Sequence, residues 1–181
     1  MADMDDILIE NIRITAQVIT EICQRNTRKN IGDGSLSRNQ FYILKILYAK
    51  GELPIGEFAR LLDISPAAAS KNIDRLANLG TIGRQNKPGD RRSQFATLLP
   101  DGRHLVEEFN RITKEKMTPL MDQFTPDEKV MALNILRRIS SYTLADGSNP
   151  DLICYQCNGN CGEECAVGTR GGVCLGEKET S

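Results

Sequence analysis

The stretch "SPAAASKNIDRLANLGTIGRQNKPGDRRSQFATLLP", residues 65–100, changes its periodicity halfway along. Up to Gly80 the apolar residues Ala69, Ile73 and Leu76 return every three to four positions, which is the inward stripe of one helix. Ser65 is a capping residue type, and Pro66 fits the first helical position, where a missing N–H costs nothing. Gly80 suits the exit. Ser70, Lys71, Asp74 and Arg75 fall off the stripe. Beyond Gly80 the helical spacing stops. Lys87-Pro88-Gly89-Asp90 reads as a turn between two segments able to pair as strands. Around its tip stand Arg84, Lys87, Arg91 and Arg92 against Asp90, a local net charge of +3.

Working outward, "PIGEFARLLD" (residues 54–63) predicts a short helix with Pro54 in its first turn and Ile55, Phe58, Leu61 and Leu62 inward. Residues 54–80 thus have the shape of a helix-turn-helix, and residues 82–99 that of a basic wing. Upstream, Ser37 caps a helix carrying Phe41, Leu44, Ile46, Leu47 and Tyr48, and Gly51 ends it. Residues 7–29 predict one helix with Ile7, Leu8, Ile12, Ile14, Val18, Ile19 and Ile22 as its apolar set. Downstream, a helix carries Leu105, Val106, Phe109, Ile112 and Met117. Thr125-Pro126 opens a last one with Val130, Leu133, Ile135, Leu136 and Ile139. The expected fold class is mainly α with a small β-wing, occupying residues 1–145. "DGSNP" (residues 146–150) is a linker into a second unit, residues 146–181, rich in Gly and Cys.

The chain has 181 residues and a net charge of −1, but the charge is unevenly placed. Residues 1–145 carry 21 Lys/Arg and 18 Asp/Glu, whereas residues 146–181 carry 2 and 6. A case for nucleic acid therefore rests on local placement, not on the total. No apolar run reaches membrane-spanning length, and the acidic start "MADMDDILIENIRI" lacks the basic and apolar parts of a secretory signal. The expectation is a cytoplasmic protein with no membrane partner, in a compartment that keeps thiols reduced.

These motifs resemble the MarR family of winged-helix transcription regulators over about residues 5–145. "SPAAASKNIDRLANLGTIGR" is similar to the family's recognition-helix signature, and "DRRSQFATLLPDGRHL" to its wing and exit. Pro100 stands after Leu99 where that exit usually has Thr, a departure that bears on the cap of the next helix. The resemblance implies a homodimer whose first and last helices intertwine, and a pseudo-palindromic double-stranded DNA operator with half-sites about one helical turn apart. It implies a regulator, a repressor by expectation, and not an enzyme.

The residues support the same expectation. Ser65, Pro66 and Ala67 are small enough at the helix start to approach base edges in the major groove. Ser70 and Lys71 lie outward, with Lys71 able to reach guanine acceptors or a phosphate. Arg75, one turn on, suits phosphate. Arg84, Lys87, Arg91 and Arg92 would meet backbone or enter the minor groove. Asp74 suits a pair with a wing arginine better than base reading. His104, beside Glu107 and Glu108, reads as a surface histidine; no Ser-His-Asp arrangement can be built around it. Cys23 sits on an apolar stripe and reads as buried and inert.

The segment "CYQCNGNCGEEC" (residues 154–165) and Cys174 leave five cysteines in a C-x2-C-x3-C-x3-C-x8-C spacing. Glycines between them allow Cys154, Cys157, Cys161, Cys165 and Cys174 to supply four ligands to one site, with one in surplus. Three readings stand: an iron–sulfur cluster, of 4Fe-4S type; structural zinc on the pairs Cys154/Cys157 and Cys161/Cys165; or free thiols, including a reversible disulfide. The first makes the tail an iron, oxygen or redox sensor that shifts the angle between DNA-binding lobes. The alternative is a small-molecule effector between dimer and DNA lobes, aromatic or drug-like as in many relatives, with zinc or redox thiols in the tail. A third class, a scaffold or electron-transfer protein using the winged helix on proteins, is disfavoured by Arg91 and Arg92. The operator sequence and target genes are not legible.

Overall fold

A computed structural model describes residues 3–21, 25, 27–87, 90–144 and 153, with backbone alone at residues 87 and 90–93. The elements are α1 (Met4–Ile19), α2 (Thr27–Lys29), α3 (Arg38–Lys50), β1 (Glu52–Pro54), α4 (Ile55–Leu62), α5 (Pro66–Asn78), β2 (Ile82–Lys87), β3 (Asp90–Leu98), α6 (Pro100–Met121) and α7 (Pro126–Leu144). The fold is a winged helix: mainly helical, with one antiparallel three-stranded sheet in the order β1-β3-β2.

The helix starts follow their local chemistry. Ser37 and Gln40 form a reciprocal capping box at α3, satisfying two backbone donors that the first turn leaves orphaned. Ser65 Oγ accepts the Ala68 N–H at α5 (3.2 Å) with Pro66 first in the helix. At α7, Thr125 Oγ1 accepts the Glu128 N–H while Glu128 Oε2 accepts the Thr125 N–H at 2.8 Å. The Thr125 N–H and then its hydroxyl, both donated to Glu128 Oε2, hold the Glu128 carboxyl below its ordinary pKa. α6 is the exception. Leu99 stands at its cap with no side chain able to accept, and its own N–H instead bonds to Thr81 O at 3.1 Å. The position of Pro100 after Leu99 thus has the structural consequence expected of it.

α3, α4 and α5 enclose the core, closed by β2, β3 and the first half of α6. Phe41, Ile43, Leu44, Ile46, Leu47, Phe58, Leu61, Ile73, Leu76, Ile82, Ala96 and Val106 are each 2 % exposed or less. Ala69, Ile73 and Leu76 are the inward face of α5, as their spacing predicted. Phe109 of α6 packs on Phe41 with ring centroids 4.6 Å apart. Truncating a core leucine such as Leu76 to Ala in such packing costs about 2–5 kcal/mol.

Two expectations are corrected, and one strand is added. The helix expected over residues 7–29 is not uniformly α where it is described: α1 ends at Ile19, the backbone winds i→i+5 at Thr20, Glu21 and Arg25, and α2 follows at Thr27–Lys29. The β-branched run Ile14, Thr15, Val18, Ile19, Thr20 crowds an α-helix and disfavours continuing it. Pro54 is not in a first helical turn. It has an extended backbone (ψ 135°), pairs with Phe95 as the last residue of β1, and precedes α4. β1 itself was not anticipated; three residues carry too little pattern, and only β3 beside them makes them a strand.

α1 and α7 have no buried residue. Ile7, Leu8, Ile9, Ile14, Val18, Val130, Met131, Leu133, Ile135 and Leu136 are all exposed in the single chain. No described helix is long and apolar enough to cross a membrane.

Candidate nucleic-acid interface

α4 and α5 meet through a tight turn at Asp63. Its left-handed backbone (φ 51°, ψ 52°) ends α4, and an aspartate tolerates that conformation better than a branched residue. The Ile64 N–H bonds to Ala59 O at 3.0 Å, so the turn is hydrogen-bonded as well as sterically defined. α5 then crosses the core with one face in and one face out. Ser65, Pro66, Ala67, Ser70, Lys71 and Arg75 are all exposed on the outer face. The Ser65 cap and Pro66 fix the first turn of the helix, and Ala67 leaves room for close approach to a base pair.

The exit of α5 is pinned firmly. Gly80 takes φ 69°, and Thr81, 4 % exposed, donates its hydroxyl to Leu76 O (2.9 Å) and its N–H to the same carbonyl (3.1 Å). β2 and β3 then run antiparallel from Ile82↔Leu98 to Lys87↔Asp90, with an irregularity between Asn86 and Lys87.

The Arg84 guanidinium makes an ion pair with the Asp74 carboxylate, joining β2 to the middle of α5. Asp74 therefore pairs with a wing arginine, the role its sign suggested. Arg84, expected to meet DNA, makes this contact within the fold, where it ties the wing to the helix and neutralises the one carboxylate on this face of α5. Both side chains are partly solvated, so the pair's value lies in geometry more than in stability.

Lys87, Arg91 and Arg92 sit at the far end of the hairpin, where only the backbone is described; their side chains lie outside the description. Cys23, Cys154, Cys157, Cys161, Cys165 and Cys174 lie outside the described residues as well. His104 is on the surface, with Nδ1 3.9 Å from Glu107 Oε2.

Alongside α5 lies a feature that the sequence reading missed. An open cleft of about 390 Å³ is lined by Gln40, Lys71, Asn72, Asp74, Arg75, Asn78 and Leu79. Lys71, Arg75 and Asn78 follow one another at i, i+4 and i+7, which puts them on one edge of the helix. That spacing was readable; the contribution of Gln40 from α3 was not, because it depends on how two helices cross. Arg75 also projects its charge toward the 33–35 loop. Asp33 has its carboxyl lowered chiefly by the Ser35 hydroxyl and N–H, with a smaller contribution from Arg75.

Set against known proteins, residues 36–94 match the model of the MarR family, the span that holds α3, the helix-turn-helix and most of the wing. The uncharacterized HTH-type transcriptional regulator YsmB of Bacillus subtilis is 25 % identical over 120 residues, covering 66 % of this chain and 82 % of that one. The HTH-type transcriptional repressor MdtR of the same organism is 23 % identical over 141 residues, 78 % of this chain and 91 % of its own. Among solved structures, the YusO protein of Bacillus subtilis superposes with a TM-score of 0.63 at 23 % identity, covering 77 % of this chain and 98 % of that one. The family consists of DNA-binding regulators, not enzymes. With its capped recognition-type helix, its paired wing and these matches, the chain carries a MarR-family winged helix-turn-helix over residues 36–94 and is similar to HTH-type transcriptional regulators along most of its described length.

Proposed function

We propose that the protein is a dimeric repressor that reads a two-fold operator through α5 and the wing, and that a small effector sets its affinity. The carrying observation is the outward face of α5, where Ser65, Pro66, Ala67, Ser70, Lys71 and Arg75 are exposed together while Asp74 is neutralised by Arg84. That face suits the major groove, with Ser70 and Lys71 at base edges and Arg75 at phosphate. Lys87, Arg91 and Arg92 suit the flanking minor groove by their place on the hairpin. The exposed apolar surfaces of α1 and α7 support dimerisation, since unpartnered patches of this kind mark interfaces. Repression is favoured by the resemblance to MdtR, itself a repressor.

The effector reading has support at the junction where α6 leaves the winged-helix body. Lys45 is 7 % exposed, with its Nζ 5.4 Å from the Phe109 ring centroid. One turn along α6, Asn110 Oδ1 and Thr113 Oγ1 are buried without a hydrogen-bond partner among the described residues. Arg28 has its pKa lowered, first by burial. A cation beside an aromatic ring, and two unsatisfied polar atoms on the same helix, are the kinds of group a small aromatic acid would use.

The cysteine segment rests on its spacing alone: an iron–sulfur sensor in one reading, a zinc staple or redox thiols in the other. Elemental analysis of anaerobically purified protein separates them. Iron with sulfide and a brown colour supports the sensor; one zinc per chain supports the staple; neither leaves thiols. The DNA reading is tested by retention of a random-sequence duplex pool. Enrichment of a shared motif, weakened by rising salt, is expected. Retention without enrichment removes the operator.

A further inference from the structure

The outward face of α5 offers few side chains that can tell one base pair from another. Its first turn is held by the Ser65 cap and by Pro66 at the first helical position. Its rotation is set by the buried stripe Ala69, Ile73 and Leu76. Ala67, Ser70, Lys71 and Asp74 are exposed on the other side. A serine hydroxyl both donates and accepts, so Ser70 suits any base pair. An aspartate would accept from the cytosine amino group, but the Asp74 carboxylate is engaged by Arg84 within the fold. Two discriminating side chains remain, Ala67 and Lys71.

Their chemistries select different bases. The Lys71 ammonium only donates, and guanine alone presents two acceptors, O6 and N7, on its major-groove edge. Ala67 presents one methyl group and no polar atom. Set against the amino group of adenine or cytosine, it would cover a donor without pairing it. Set against thymine, it meets the C5-methyl that no other base carries. Ala67 and Lys71 stand four residues apart, about 6 Å along the helix and about 40° around it. That is close to two base steps of about 3.4 Å. We infer that each operator half-site is defined by two base pairs about two steps apart: a T·A pair whose thymine methyl packs on Ala67 Cβ, and a G·C pair whose guanine accepts from Lys71 Nζ. This rests on the operator-binding reading and names the DNA that the same face selects, with Ala67 as a specificity-determining residue.

Enrichment of duplex from a random pool by the full chain is expected to return thymine and guanine at this spacing in both half-sites. Replacing that thymine by uracil removes only the C5-methyl, and wild-type affinity is expected to fall about fourfold, the worth of one buried methyl-sized group. The Ala67→Gly protein is expected to bind the thymine and uracil duplexes equally. Only the ratio of the two affinities is read, so a general loss of helix stability in the variant cancels. Lys71→Ala is expected to relax the guanine position, where the wild type prefers guanine by about fivefold or more, and to keep the thymine-to-uracil ratio. An enriched motif without this pair of bases overturns the inference and leaves operator binding standing. So does a wild-type protein indifferent to uracil, an Ala67→Gly protein that still discriminates, or a guanine preference that survives Lys71→Ala. A pool that yields no shared motif removes the operator reading itself.

Discussion

Replacing Leu136 of α7 by glutamate is expected to turn a dimer into monomers at micromolar concentration and to lower operator affinity at least about a hundredfold. Leu136 is 59 % exposed in the single chain, and Val130, Met131, Leu133 and Ile135 are exposed on the same helix. α1 adds Ile7, Leu8, Ile9, Ile14 and Val18. Each buried leucine-sized side chain contributes about 1.5–3 kcal/mol, and a buried carboxylate without a partner reverses the sign. The loss on DNA follows from linkage. Two half-sites held by one rigid dimer bind as one event, whereas monomers bind each half separately, and such coupling is worth about 10²–10⁴-fold. Sedimentation equilibrium and fluorescence anisotropy on the same samples check it. A Leu136→Glu protein that remains dimeric places the interface elsewhere.

The second large effect is on folding. Gly102→Ala is expected to destabilise by about 2–4 kcal/mol, as overpacking against fixed backbone does. This runs against the helix-propensity rule, by which Gly→Ala inside a helix gains about 1 kcal/mol. A Cβ at Gly102 would lie 2.3 Å from Thr81 O and 2.8 Å from Leu98 Cδ1. Thr81 cannot retreat: its N–H and hydroxyl both hold Leu76 O, and its carbonyl accepts the Leu99 N–H. The end of α5, the end of β3 and the start of α6 therefore meet at one glycine. Gly56→Ala in α4 is the control, since nothing lies within 4 Å of a Cβ there. It is expected to be neutral or to stabilise by up to about 1 kcal/mol. Denaturant melts of the two variants compare the effects directly.

Much of this was legible because periodicity and capping chemistry agree along the chain. Ser37, Ser65 and Thr125 each open the helix their type suggests, and the stripe Ala69–Ile73–Leu76 is buried as spaced. The Asp74 pairing followed from its sign among basic neighbours. What escaped was whatever depends on a distant partner. β1 is a strand only because β3 pairs with it, and Pro54 reads as a helix opener until that pairing is seen.

The most direct test of the central claim is a hydroxyl-radical footprint of the wild-type protein on duplex enriched from a random pool. Two protected patches related by a two-fold axis, with centres about one helical turn apart, are expected from a dimer presenting two copies of α5. Protection of a single patch spanning one turn or less, or protection with no symmetry, would contradict the account.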